Sequence, residues 1–237
     1  MAGSRRLEAV TFEGGDGRTI AGWLDLPPDA PRAYALLAHC FSCTKDFPAV
    51  ARVGRRLAER GFGVLRFDFS GHGVLGFARG RADALAAAAW LRTRHGPPRL
   101  LVGHSFGGAV LASAAAEIPE AGALATIAAT ADPAALRSRV CSRLRAEDEQ
   151  HWELEIGGRR FAVAPELCRE LEDPELLDRV ARFRGAALVL HDPEDPVVPY
   201  AEAERLFSRL GQPRGLVALP GAGHLLAAPE AARHAAD

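Results

Sequence analysis

A chain of 237 residues is long enough to bury a sizeable core, and 48% hydrophobic against 25% charged residues is ordinary for a globular protein. The formal net charge of −1 provides no basic field for nucleic acid, and lysine occurs once, at Lys45, beside scattered arginines that read as biased genomic composition. No apolar run approaches the roughly 20 residues needed to cross a bilayer, the N-terminus lacks the apolar core of a signal peptide, and four cysteines are too few for a disulfide framework, so a cytoplasmic protein with reduced thiols is expected.

Alternating patterns at 8–12 and 20–26, separated by Gly14-Gly15-Asp16-Gly17, predict an antiparallel hairpin at the start of the chain. Residues 34–39 are apolar on both faces, as in a strand buried within a helix-covered sheet. Helical spacing follows at 47–60, a strand at 63–68, a helix at 81–94 and a strand at 100–102. An alanine-rich helix and a strand at 124–128 come next. Between 132 and 183 the alternation lapses into polar helical segments around a hairpin, 152–156 and 159–163, which reads as a small cap inserted beside the sheet's carboxyl edge. It resumes with a strand at 186–191, a helix at 200–210, a strand at 215–219 and a helix at 229–236. Repeated β-α order implies an α/β fold with a mostly parallel twisted sheet and helices on both faces, within a single domain spanning 1–237.

The chemistry concentrates at Gly103-His104-Ser105-Phe106-Gly107, where a short apolar strand meets a helix. In such a turn the serine sits in a strained conformation and the residues two before and two after must be small, which Gly103 and Gly107 satisfy. Ser105 therefore reads as a nucleophile, with the Phe106 N–H at the helix start facing the position of an oxyanion. A second N–H is expected from the loop after strand 34–39, from Phe41 or alternatively Cys40. A serine nucleophile needs a base and an acid that orients it. His224, in Gly221-Ala222-Gly223-His224 after the last strand, fits the base. The loop 192–199 offers Asp195, with Asp192 and Glu194 as rivals for the acid. Cys40 and Cys43 form a CxxC, but Cys141 and Cys168 look isolated, so a zinc site lacks its second ligand pair and no metal or other cofactor is expected. Cys40, His104, Trp152, Phe161 and Val197 are candidates to contact substrate, with Leu154 and Val163 beside them.

With serine, acid and histidine in that order, the chain resembles the α/β-hydrolases over essentially its whole length. The stretches 39–46, 65–71, 103–108 and 158–161 are together similar to the hydrolase module found alone or fused to an OsmC-type domain, and no OsmC-type domain is expected here. The resemblance implies Ser105, Asp195 and His224 as a triad, with Phe41 and Phe106 as oxyanion donors. Two departures stand out: Asp192 replaces the usual glycine after His191, and 73–81 is shorter than the corresponding loop. The implied activity is hydrolysis of small to medium carboxylic esters or thioesters through an acyl-enzyme. Peptide or amide hydrolysis and acyl transfer use the same triad, and a non-catalytic accessory module is the competing class. A small-molecule substrate is the expected partner, and the sequence leaves room for a homo-oligomer.

Overall fold

The computed structural model describes residues 5–41, 43–70, 76–146, 152–156, 159–163 and 166–237, and for 146, 155, 156, 159, 161 and 162 the backbone alone. The elements run β1 (Arg6–Glu13), β2 (Thr19–Leu26), β3 (Ala33–Ala38), α1 (Pro48–Glu59), β4 (Phe62–Phe67), α2 (Phe77–Arg94), β5 (Pro98–His104), α3 (Phe106–Ala114) and β6 (Ala123–Ile127). The inserted segment holds α4 (Pro133–Cys141), β7 (Leu144–Ala146), β8 (Trp152–Ile156), β9 (Arg159–Val163), α5 (Leu167–Glu170) and α6 (Leu176–Val180). The chain then continues through β10 (Ala186–His191), α7 (Tyr200–Arg209), β11 (Arg214–Ala218) and α8 (Pro229–Ala236). Among the described residues no helix is long and apolar enough to cross a membrane.

Eight strands form one sheet in the order β1-β2-β4-β3-β5-β6-β10-β11, antiparallel at β1-β2-β4 and parallel from β4 onward. This is the α/β-hydrolase fold. The period of two in β3 divides the core: Ala35 and Leu37 pack with α1 and α8 on one face, Leu36 and Ala38 with α2 and α3 on the other. Helix α3 is buried along its whole length, so the helix that follows Ser105 is wedged in the centre of the molecule. Helix α2 starts at Phe77 rather than at residue 81, because Phe77 is fully buried against the Phe106 ring, 4.9 Å between centroids. That contact outweighs the weak helix signal of Gly80.

The inserted hairpin gains a third strand, since β7 pairs with β8 as β8 pairs with β9. Three residues are too short to show an alternation. Leu154, Val163 and Val140 of the insertion join the same core cluster as α3, so the segment is packed onto the sheet rather than tethered to it.

The cysteine expectation is corrected. All four are bonded, Cys40 to Cys43 and Cys141 to Cys168. Cys141 and Cys168 lie 27 residues apart in sequence, and the packing of α4 beside α5 brings them together. Spacing along the chain carries no trace of that contact.

Candidate active site

Ser105 links β5 to α3 with φ 54° and ψ −120°, a backbone that a non-glycine residue adopts only at a cost of about 1–3 kcal/mol. The close approach of chain segments around it explains the flanking glycines. A Cβ on Gly103 would overlap the Gly107 carbonyl, and one on Gly107 would overlap the His39 carbonyl at the end of β3. The turn is held from beneath by the Ser105 N–H, which donates to Ile127 O at 2.8 Å. Phe106 is the first residue of α3, so its N–H has no acceptor one turn back in the helix.

His224 Nε2 lies 3.0 Å from Ser105 Oγ, and its Nδ1 lies 2.8 Å from Asp195 Oδ2. An ionised carboxylate only accepts, so Nδ1 carries the hydrogen and Nε2 presents its lone pair to the hydroxyl. The other oxygen of Asp195 accepts the N–H groups of Val197 at 2.7 Å and Val198 at 3.0 Å. Burial pushes the Asp195 carboxyl up, but the His224 hydrogen bond and the two N–H donors outweigh it, so the net shift is downward and the charge is held.

The rival carboxylates occupy other places. Asp192 accepts from the Glu194 N–H at 3.0 Å and from the Gly223 N–H at 2.6 Å, fastening the acid loop to the histidine loop. These N–H donors hold its carboxyl below the usual range. Glu194 is exposed. The histidine loop turns through Gly221 and Gly223, at φ 75° and 63°, where side chains would be strained.

His104 was expected at the substrate; in the structure its ring is buried beside that of His224, 5.4 Å between centroids. Its Nε2 donates to the backbone carbonyl of His224 at 2.7 Å, and the side chain is 3% exposed. Burial, then the neighbouring His224, pull its pKa down to about 3, so it is neutral at any working pH. His104 braces the backbone of the residue facing Ser105.

A further brace was not anticipated. Lys45 donates to Asp68 twice, through its backbone N–H at 2.6 Å and its Nζ at 2.7 Å, while Arg66 binds the Lys45 carbonyl. Residues of β4 and the position just beyond it thereby suspend the loop that carries Cys40 and Phe41.

A small cavity, open to solvent, lies over Ser105 and His224. Cys40 and Val197, two of the candidate substrate neighbours, line it together with Phe41, and Leu154 reaches it from β8. Trp152 does not line it; its half-buried ring packs on the main core instead. Val163 is likewise in that core. Phe161 stands opposite Leu154 in the hairpin register, and its side chain lies outside the described residues. The Phe106 ring is buried against Phe41, Phe69 and Phe77, leaving its backbone as the part that can face a ligand. Val198 and Leu225 also line it, and Leu136, Arg139, Val140 and Arg143 complete the wall. Their spacing of i, i+3, i+4 and i+7 was a readable helical signal, but nothing in the sequence said which way that face turned.

A buried Ser–His–carboxylate line at the carboxyl ends of parallel strands, beneath a short inserted segment, defines a class. Residues 35–236 match the model of the alpha/beta hydrolase family, and the chain belongs to that family. Among solved structures it resembles the esterase domain of a Rhodothermus marinus protein, with 40% identity, TM-score 0.82 and coverage of 98% of this chain and 95% of that one. Est1E from Butyrivibrio proteoclasticus shares the fold, with 22% identity, TM-score 0.78 and 95% and 96% coverage. An uncharacterized protein of Mycobacterium tuberculosis is 28% identical over 225 residues, 91% of this chain and 71% of that protein.

Proposed function

We propose that this chain is a serine esterase that cleaves small to medium carboxylic esters or thioesters through an acyl-enzyme on Ser105. One observation carries the reading: an unbroken hydrogen-bonded line from Ser105 Oγ through His224 to an Asp195 carboxylate fixed by two backbone N–H groups. His224 Nε2 takes the hydroxyl proton as Oγ bonds to the ester carbonyl carbon, and Asp195 stabilises the resulting imidazolium. The Phe106 and Phe41 N–H groups receive the oxyanion. The imidazolium then protonates the departing alcohol or thiol, and a water activated by the same histidine releases the acid. The likeness to an esterase domain at 40% identity supports the same class. The small cavity and short insertion favour acyl chains of about two to six carbons over those of about twelve to sixteen.

In this reading 1–237 forms one hydrolase domain and 132–183 is its cap. The compartment follows the cysteines: thiols suit the cytoplasm expected from the sequence, disulfides an oxidising one. Hydrolysis of p-nitrophenyl butyrate tests the reading. Ser105→Ala and Asp195→Asn each lower kcat by roughly 10⁴-fold with an unchanged circular dichroism spectrum, whereas Asp192→Asn, which loses a loop fastening, costs far less. Substantial activity in Ser105→Ala, or equal damage from Asp192→Asn, overturns the assignment.

A further inference from the structure

The cavity over Ser105 is apolar except on one side, where α4 and the turn after it present two arginines. Arg139 is fully engaged: its Nε donates to Ala135 O at 3.2 Å, its Nη1 to Val197 O at 3.1 Å, and its Nη2 lies 3.4 Å from Glu202. Glu202 in turn accepts the N–H groups of Ala131 and Asp132, so this cluster is neutral and ties α4 to α7. Arg143 differs. Arg143 lines the same cavity and is exposed, and among the described residues its side chain has no carboxylate or carbonyl acceptor.

The position of Arg143 is also fixed from both sides. Two residues before it, Cys141 is bonded to Cys168, and directly after it Leu144 enters β7, paired with Leu154 of β8. A planar, permanently charged fork held at the mouth of an apolar cavity is suited to a carboxylate, which it can bind through two parallel hydrogen bonds.

Resting on the esterase reading, we propose that Arg143 is a specificity-determining residue and that the substrates are esters carrying a free carboxylate a few atoms from the scissile carbonyl, such as monoesters of short dicarboxylic acids. The carboxylate pairs with Arg143 while the methylene chain lies against Leu136, Val140 and Leu154. The distal charge then directs the ester carbonyl toward Ser105.

The test compares monomethyl glutarate with methyl pentanoate, near-isosteric esters that differ in the carboxylate, by titration of the acid released. The wild-type protein favours the anionic ester by about tenfold or more in kcat/KM, and the preference shrinks as salt rises from about 20 mM to about 300 mM. Arg143→Gln lowers the anionic-to-neutral ratio at least about tenfold, chiefly through KM, and Arg143→Lys restores part of it. Binding of monomethyl glutarate to the Ser105→Ala protein, followed by calorimetry, gives a readout independent of turnover and is lost in Ser105→Ala/Arg143→Gln. Equal use of the two esters, or a ratio unmoved by Arg143→Gln, overturns the subsite while leaving the esterase standing. Hydrolysis of neither ester with Arg143-dependent binding intact overturns the esterase and keeps the subsite.

Discussion

The two walls of the cavity are built on different principles. The wall beneath, formed by the Ser105 turn, the acid loop and the histidine loop, is held by backbone: N–H groups on Asp195 and Asp192, a carbonyl under His104, and glycines that no side chain can replace. The wall above, from α4 to α5, is held by side-chain packing, the Arg139–Glu202 cluster and one disulfide. Backbone contacts at strand ends tolerate little variation, because shifting one shifts the reacting atoms. A packed insertion can exchange its lining residues without touching the serine. In the proposed reading the lower wall carries the chemistry and the upper wall the choice of substrate.

Leu154→Ala tests the upper wall. Leu154 is fully buried, belongs to the main core and also lines the cavity, so truncation costs about 3 kcal/mol in denaturant unfolding and enlarges the acyl site. The ratio of p-nitrophenyl octanoate to butyrate turnover rises, while butyrate turnover stays within about tenfold of wild type. A collapse of activity on every ester without loss of stability would mean that the insertion holds the chemistry too, and the contrast would fail.

A smaller effect probes the lower wall through pH. Folding favours the neutral form of His104, whose pKa drops from 6.5 to about 3 on burial. Its contribution to stability is therefore complete above pH 6.5 and declines as the pH falls from there toward 3, because the unfolded chain takes a proton that the folded chain refuses. Between pH 7 and pH 5 this amounts to about 2 kcal/mol. Urea unfolding at the two pH values shows the wild-type protein losing about that much more stability than His104→Gln. Equal losses in the two proteins would mean that His104 is charged or exposed, contrary to its place under His224.

The lower wall was largely legible in the sequence. Glycines around a serine, an acidic loop after an apolar strand and a glycine-flanked histidine are local patterns, and local patterns survive without knowledge of what packs on them. Strand and helix positions in the sheet were legible for the same reason. The upper wall was not. The hairpin at 152–163 was visible by alternation, but β7 is too short to alternate, the Cys141–Cys168 bond joins residues that only packing unites, and the direction of the α4 face depends on both. A polar residue beside a nucleophile suggests contact with substrate, and nothing local in the sequence indicated that the His104 ring serves a carbonyl.

The central claim is that Ser105 Oγ is the atom that becomes acylated, and covalent labelling addresses it directly. A fluorophosphonate, which reacts with a serine activated by a neighbouring base, adds one phosphonyl group per chain. Mass mapping then locates it on Ser105 and finds no label in His224→Ala. An unlabelled wild-type protein, or a label on another residue that persists in Ser105→Ala, would contradict the account.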